Sequence, residues 1–356
     1  MRWIKITLIN ILLTLAFIGI LLLIPPTFYN LYKVITKDKS DLSDFPVHLE
    51  LYKEFDWTIQ HFNEMKDLST TYSDFITWRT DDFEGETINI KNGLRQTYKN
   101  ETKSDSSSKY YFFGGSTTWG TGVNDDNTYP SLFTKFTGHE ATNFGEKGYI
   151  ARQSLAYLSN HFIINSKIDM NNINVIFYDG VNEVVQRCRS DNEGFNTSRA
   201  AQIKEILKNN DKEFSFSTTF RQLENFIEKL INKFKDNEDL RYLNSLYNCD
   251  TSKEKAQEVA QELVNTWKTA SDLVNAYGGT FTAILQPVAY IGNANIEYLN
   301  LSTNEDKVKA SQYKTVYPLI KKFAKDQNFN FIDLTNTYDG CSNCYIDFCH
   351  VGPQGH

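Results

Sequence analysis

The sequence has no long run of lysine and arginine. Its 37 basic residues are outnumbered by 44 acidic residues, which gives a formal net charge of −7. Because nucleic acids are bound through basic patches that face the phosphate groups, this balance predicts that nucleic acid is not a partner. The sequence also contains no visible internal repeat, so a repeat architecture is not indicated.

Cysteine is scarce, with five residues among 356: Cys188, Cys249, Cys341, Cys344 and Cys349. Only one pair has Cys-x-x-Cys spacing, and the other spacings do not match a common zinc knuckle. Disulfides are therefore favoured over a zinc site built from the last three cysteines and a histidine. A Cys188–Cys249 bridge would close an insertion in the middle of the chain. The odd count leaves one thiol over, and the spacing does not fix the connectivity.

One long apolar run is present, from Ile4 to Pro25, with Arg2 and Lys5 at its start. About 20 apolar residues are enough to cross a bilayer as a helix. The run is long for a signal-peptide core and lacks a small-x-small cleavage site, so it predicts a retained transmembrane anchor over residues 1–26. Its signal-like position and the cysteines predict that the rest of the chain lies outside the cytoplasm.

The remainder has the composition of a folded protein, since 40% of the whole sequence is hydrophobic and 23% is charged. Residues 27–108 are predicted to form a polar stalk followed by an accessory segment. Within that segment, residues 51–62 have a helical pattern and residues 87–90 are strand-like. We expect the accessory segment to pack on a main domain over residues 109–356.

Strand-like and helical segments alternate after residue 109. The pattern predicts strands at residues 110–113, 141–144, 174–178, 281–285 and 329–334, and helices at residues 128–137, 154–166 and 304–327. This alternation indicates an α/β fold of three αβα layers with a parallel sheet in the middle. Polar, helix-rich sequence at about 185–270 interrupts the pattern. It predicts a helical insertion that forms a cap or lid.

Polar residues and glycines follow several of these strands, at the edge of the sheet where function gathers in parallel folds. Each is weak evidence alone, because Gly-Gly-Ser is commonly a turn, asparagine a cap residue and histidine a surface residue. Together they supply a hydroxyl, a glycine amide, a side-chain amide and an imidazole near a carboxylate, which acyl transfer requires. They are Ser116 in F-G-G-S-T-T-W-G, Gly148 in N-F-G-E-K-G-Y, Asn182 in D-G-V-N-E, and Asp347 and His350 in D-F-C-H.

Each of these residues has a predicted role. Ser116 is a weak nucleophile until a base takes its proton, and His350 is the candidate base. Asp347 would accept a hydrogen bond from the other ring nitrogen and fix the tautomer. The oxyanion of the tetrahedral intermediate would bind the backbone N–H groups of Ser116 and Gly148 and the side-chain amide of Asn182.

The Gly-x-Ser-x-Gly motif is absent, because Thr118 stands two residues after Ser116. The four segments instead resemble the four blocks of the SGNH, or GDSL-type, hydrolase superfamily. The resemblance covers residue 109 to the end, apart from the insertion, and departs from the family at Gly115 and Glu183, where aspartate is usual. It implies a serine nucleophile, an SGNH-hydrolase or flavodoxin-like fold, an ester substrate, and chemistry that needs no metal ion or organic cofactor.

The anchor and the resemblance together predict a membrane-anchored esterase that removes O-acyl groups, above all acetyl, from a carbohydrate. Three alternatives remain at this stage. An O-acetyltransferase of surface polysaccharide assembly would use the same residues with water excluded. A lipid esterase or thioesterase would exploit the nearby bilayer. A non-catalytic carbohydrate-binding protein would not need His350 within hydrogen-bond reach of Ser116. The sequence does not indicate an oligomeric state.

Overall fold

A computed structural model of the chain describes residues 42, 45–100, 108–164, 171–190 and 246–356. The predicted anchor at residues 1–26, most of the stalk and residues 191–245 of the predicted insertion lie outside these ranges. Among the helices that are described, none is long and apolar enough to cross a membrane.

A mostly parallel sheet of eight strands forms the centre of the described structure, and it confirms the predicted α/β class. Its spatial order is β10-β9-β8-β6-β7-β5-β4-β3. The strands from β10 to β7 are parallel, and β5, β4 and β3 are antiparallel. A separate hairpin is formed by β1 and β2. The strands are β1 (Thr70–Ser73), β2 (Thr77–Thr80), β3 (Phe83–Glu84), β4 (Asn89–Lys91), β5 (Leu94–Arg95), β6 (Lys109–Gly114), β7 (Glu140–Asn143), β8 (Ile173–Asp179), β9 (Thr280–Leu285) and β10 (Asn330–Asp333).

The five parallel strands lie where the sequence predicts them, within one residue at either end. Alternate side chains of the central strands are buried in one core, as Val175 and Phe177 are in β8 and Ala283 and Leu285 are in β9. The antiparallel strands differ from expectation. Residues 83–95, predicted to belong to an accessory layer, extend the main sheet at its β7 edge.

The helices of the described ranges are α1 (Thr58–Asp67), α2 (Ser116–Trp119), α3 (Tyr129–Thr137), α4 (Ala151–Ile164), α5 (Val181–Arg187), α6 (Lys253–Ala276) and α7 (Asn304–Lys325). Helix α6 begins at an N-cap, where the Ser252 side chain accepts a hydrogen bond from the Lys255 N–H. It buries a stripe that includes Val259, Leu263 and Trp267. It packs against β9, α4 and α7. The part of the predicted insertion after residue 252 is therefore a helix of the α/β layers.

Helices cover both faces of the sheet at β6. The side chain of Phe113 lies in the core and contacts Tyr157 of α4 edge to face. Phe112, the preceding residue, points to the opposite face and contacts Phe133 of α3 in an edge-to-face pair. The chain leaves β6 toward β7 through α3 and returns through α4 to β8 on the other side of β6. The carboxyl ends of β6 and β8 thus form a topological switch point, where parallel sheets place ligand sites.

Two disulfides are present. One joins Cys188 and Cys249, which are both fully buried. The other joins Cys341 and Cys344, and Cys349 remains a free, buried thiol. The zinc site of Cys341, Cys344, Cys349 and a histidine is therefore not formed, because Cys341 and Cys344 are joined to each other.

Candidate active site

Ser116 is the first residue of α2, directly beyond the carboxyl end of β6. The two glycines before it allow close approach of neighbouring segments. Gly114 has φ of +154°, and a Cβ there would collide with the Thr118 side chain and the Tyr178 carbonyl. A Cβ on Gly115 would lie 2.5 Å from Nδ2 of Asn182. The Gly-Gly-Ser segment is thus a strand-to-helix bend that presents the serine and brings Asn182 beside it.

His350 and Asp347 lie at the tip of a tight hairpin-like loop. The Ile346 N–H donates to the His350 carbonyl at 2.9 Å. The Asp347 side chain organises the tip, because its Oδ1 accepts hydrogen bonds from the backbone N–H groups of Cys349 at 2.8 Å and His350 at 2.7 Å. Such aspartate-to-backbone bonds stabilise turns without regular secondary structure.

The loop brings the imidazole to the serine. Nε2 of His350 lies 2.6 Å from Oγ of Ser116, and Nδ1 lies 2.6 Å from Oδ2 of Asp347. A carboxylate only accepts hydrogen bonds, so Nδ1 carries the proton and Nε2 accepts from the Ser116 hydroxyl. This is the geometry that allows a serine hydroxyl to be deprotonated as it attacks.

Electrostatics favour a charged imidazole in this arrangement. Burial alone would lower the pKa of His350, but the Asp347 carboxylate outweighs it and raises that pKa well above 6.5. Burial likewise opposes ionisation of Asp347, yet His350 and the two backbone donors hold the pKa of this carboxyl below its usual range. The site therefore stabilises the imidazolium–carboxylate pair that forms when Ser116 loses its proton.

The three residues predicted to supply oxyanion donors lie in segments that are joined by contacts next to Ser116. The backbone N–H of Ser116 is in the first turn of α2, where N–H groups have no partner within the helix. Asn182 is in the first turn of α5, and its Nδ2 donates to the Tyr149 carbonyl at 2.7 Å. A primary amide has two hydrogens, so the second can be donated to an oxyanion. Gly148 immediately precedes Tyr149 and has the left-handed φ of +79° that favours glycine.

Side chains of α5 hold the segment that carries Gly148. Besides the Asn182 bond to Tyr149, Nε2 of Gln186 donates to the Gly148 carbonyl at 2.9 Å. Glu183 accepts from the Ala151 N–H at 2.5 Å through one oxygen and from the Gly180 N–H at 2.9 Å through the other. Glu183 therefore joins the segment that follows β7 to the segment that follows β8.

Gln286, which follows β9, was not identified from the sequence. Its Nε2 donates to Oγ1 of Thr117 at 2.8 Å and to the Cys349 carbonyl at 3.3 Å. Thr117 adjoins the serine and Cys349 adjoins the histidine. One buried amide thus connects the two segments that supply Ser116 and His350.

Arg95 is a second residue without a sequence signal. It is 2% exposed, and its guanidinium donates to Oδ1 of Asp125 at 2.8 Å. The same group donates to the carbonyls of Gly120 and Val123, both at 2.6 Å. Because the turn after α2 has no regular secondary structure, these bonds fix the position at which the serine-bearing helix ends.

No protein-family model matches the chain, and no curated protein sequence matches it. Solved structures similar to the chain include a member of the lipolytic G-D-S-L protein family from Veillonella parvula, with 12% identity over 70% of this chain and 92% of that chain and a TM-score of 0.39. An extracellular lipase from Streptomyces rimosus has 12% identity over 70% and 94% of the two chains, with a TM-score of 0.37. A catalytic mutant of an acetylxylan esterase from Geobacillus stearothermophilus has 15% identity over 72% and 91%, with a TM-score of 0.37. Similarity at this level does not carry an activity over to this chain.

Proposed function

We propose that this chain is a serine esterase of the SGNH type that hydrolyses carboxylic esters. The observation that carries the proposal is the continuous series of hydrogen bonds from Asp347 through His350 to Ser116, with 2.6 Å at each junction. The same distance argues against the non-catalytic binding protein, which would not need the imidazole at the serine. The sequence resemblance of the four segments supports the assignment independently.

The reaction begins when the Ser116 hydroxyl attacks the ester carbonyl and transfers its proton to Nε2 of His350. Asp347 stabilises the resulting imidazolium through Nδ1. The tetrahedral intermediate places its oxyanion between the Ser116 and Gly148 N–H groups and the Asn182 amide, where each donor contributes about 3–4 kcal/mol to lowering the barrier. Collapse of the intermediate releases the alcohol, which takes the proton from Nε2, and leaves the acyl group on Ser116.

The second half-reaction removes the acyl group. His350 takes a proton from a water molecule as it attacks the acyl-serine, and the same oxyanion donors act again. Collapse of this second intermediate breaks the bond to Ser116 and releases the carboxylic acid, and Oγ of Ser116 takes the proton back from Nε2. A sugar hydroxyl in place of water would give the O-acetyltransferase. Hydrolysis and transfer therefore differ only in the group that accepts the acyl chain from Ser116. Both products can be measured in the same reaction.

For the substrate class, we propose an O-acylated carbohydrate, with acetyl as the acyl group. The β1–β2 hairpin exposes Tyr72 by 66% and Phe75 by 82%. The hairpin adjoins the oxyanion segment, because Nε1 of Trp78 donates to the Lys147 carbonyl at 3.1 Å. Exposed aromatic rings on a hairpin that adjoins this segment can stack on the apolar faces of sugar rings. This arrangement supports a carbohydrate over a lipid ester.

We also propose that the enzyme acts outside the cytoplasm, attached to a membrane by residues 1–26. The support for export is the pair of disulfides, since disulfides persist in oxidising compartments. The support for the anchor is the apolar run in the sequence.

The test is ester hydrolysis by the purified full-length chain, with p-nitrophenyl acetate, longer-chain homologues and an acetylated polysaccharide as substrates. We expect release of short acyl groups, and a loss of about a thousandfold or more in kcat for Ser116→Ala. Acetyl transfer to added sugar acceptors is measured in the same reactions.

The matched control is Ser159→Ala, which removes a serine in the middle of α4 whose hydroxyl donates to the Leu155 carbonyl one turn away. It should leave the rate unchanged. Hydrolysis that survives Ser116→Ala, or no turnover and no transfer with any ester, would overturn the proposed function.

A further inference from the structure

Two other potential metal-ligand atoms lie close to Nδ1 of His350. Oδ2 of Asp347 lies 2.6 Å from this nitrogen, and Sγ of Cys349 lies 3.6 Å from it. One ligand atom from each residue lies within 4.8 Å of the other two. Carboxylate, thiol and imidazole are the three side-chain types that bind zinc in proteins.

We propose that Asp347, Cys349 and His350 form an inhibitory site for a thiophilic divalent cation such as Zn²⁺ or Cd²⁺. The geometry suits a tetrahedral ion. With bonds of about 2.3 Å to sulfur and about 2.05 Å to nitrogen, a tetrahedral centre holds the two atoms about 3.6 Å apart, which is the separation found here. The carboxylate oxygen must move by about 0.7 Å, from hydrogen-bond distance to the roughly 3.3 Å between two ligands of one ion. Water would take the fourth position.

The ion would occupy the place of the Nδ1 proton. Binding would therefore inhibit ester hydrolysis by changing the protonation of His350. In the working tautomer, Nδ1 carries the ring proton and the Nε2 lone pair accepts from Ser116. When Nδ1 donates its lone pair to the ion, the ring proton moves to Nε2 and the thiol releases its proton to solvent. Nε2–H cannot accept a proton from Ser116, so the base is lost although the ester cleft stays open.

The cluster is accessible from one side. The Cys349 residue is 6% exposed, but the Asp347 side chain is 43% exposed. The ion can therefore enter along the carboxylate and reach the sulfur. The other four cysteines are joined in disulfides, so Cys349 is the one thiol available. The inhibition rests on the proposed role of His350 as base, whereas binding of the ion does not.

Binding and inhibition are measured separately on the full-length chain, purified without reductant and treated with a chelator. Binding is followed by the ultraviolet charge-transfer band of the Cd²⁺–thiolate bond, in wild type and in Ser116→Ala. We expect one ion per chain in both, and no band in Cys349→Ser. Because Ser116→Ala has no activity to lose, its band tests the site even if the ester substrate is wrong.

Inhibition is followed as ester hydrolysis against the concentration of free Zn²⁺, with each rate expressed relative to the metal-free rate of the same variant. Zn²⁺ should lower kcat and leave KM unchanged. Cys349→Ser and Cys349→Ala should each require at least about tenfold more Zn²⁺ for half-inhibition, because an oxygen or a methyl group replaces a soft ligand. His139→Ala, which removes a histidine packed against Tyr110 away from the site, should be inhibited like wild type.

Mg²⁺, which prefers an octahedron of oxygen ligands, should not inhibit. The proposal is overturned if the Cd²⁺–thiolate band is absent from wild type, or if both Cys349 variants are inhibited at the wild-type Zn²⁺ concentration. A normal band in a chain that hydrolyses no ester would instead retain the metal site and reject the proposed function.

Discussion

Nε2 of Gln286 donates a hydrogen bond to Oγ1 of Thr117 over 2.8 Å, although 169 residues separate the two in the chain. The same amide reaches the Cys349 carbonyl at 3.3 Å. These bonds connect the neighbour of the proposed nucleophile to the neighbour of the proposed base. We therefore expect Gln286 to be a positioning residue that helps to hold the distance between Ser116 and His350.

Replacing Gln286 by methionine, which has a similar volume and no donor, should lower kcat by about 10–100-fold with little change in KM, because small displacements of reacting groups are costly. The control is Gln312→Met. Gln312 is 1% exposed. Its Nε2 donates to the Val308 carbonyl and its Oε1 accepts from the Asp250 N–H, and neither partner adjoins Ser116 or His350. Both variants should unfold at lower temperature, but only Gln286→Met should turn over slowly. Equal kcat values for the two variants would contradict the positioning role.

The rate should depend on pH through His350. Below its pKa the imidazole is protonated and cannot accept the Ser116 proton. The value of kcat/KM should therefore rise with pH and level off only above neutrality, since Asp347 raises the pKa of His350 well above 6.5. Asp347→Asn removes the opposing charge and leaves burial, so the rise should move to lower pH and the plateau should fall by about 10⁴-fold. A pH–rate profile from about pH 5 to about pH 9 measures both effects. An unshifted rise in Asp347→Asn would exclude His350 as the titrating base.

Gly115 and Asn182 should behave as one functional unit. Asn182→Ala removes an oxyanion donor and should reduce kcat by about 10²–10³-fold. Gly115→Ala places a methyl group 2.5 Å from the present position of the Asn182 Nδ2 and should displace the same amide. The two substitutions combined should therefore be no slower than Asn182→Ala alone. Steady-state kinetics of the two single variants and the double variant test this, and multiplicative losses would show that Gly115 acts by another route.

The Cys188–Cys249 disulfide should contribute more to stability than Cys341–Cys344. The sequence separation of the two cysteines is 61 in the first disulfide and 3 in the second, so the first closes a much longer loop. On the chain-entropy model, the longer loop corresponds to about 4 kcal/mol and the shorter to about 2 kcal/mol. Urea unfolding of Cys188→Ala/Cys249→Ala should give the larger loss in the free energy of unfolding, with Cys341→Ala/Cys344→Ala as the comparison. The reverse order would rule out loop closure as the dominant effect.

The hairpin aromatics should matter for a polymer and not for a small ester. Phe75→Ala should lower kcat/KM on the acetylated polysaccharide by about two- to tenfold, because a lost aromatic contact costs about 0.5–1.5 kcal/mol. It should leave p-nitrophenyl acetate hydrolysis unchanged. Phe136→Ala is the matched control, because Phe136 is 83% exposed in the last turn of α3. Equal effects of the two substitutions on the polysaccharide would remove the support for a carbohydrate substrate.

The parallel strands could be predicted because their residues are buried on regular faces. Apolar runs such as residues 174–178 and 281–285 carry that pattern locally, and glycines or polar residues mark their ends. The strands of residues 83–95 contain only two or three residues each, too few for a periodicity to appear. The sequence predicts that most of helix α6 belongs to the insertion at about 185–270, because this stretch is polar and helix-rich. Its place in the α/β layers depends on the burial of Val259, Leu263 and Trp267 against other segments.

The sequence by itself determined the order of the elements and the chemical groups at the strand ends: a hydroxyl, an imidazole, a carboxylate, an amide and glycines. Burial periodicity and strand-end signals involve residues close together in the chain, so they can be recognised in a single sequence. Only the tertiary structure decided which atoms meet. Ser116 and His350 are 234 residues apart, yet their reacting atoms lie 2.6 Å from each other. Hydrogen bonds tolerate errors of only a few tenths of an ångström, and such positions result from packing between distant segments. The same packing placed Gln286 between the segment of Ser116 and the loop of His350. No local pattern in the sequence predicts that contact.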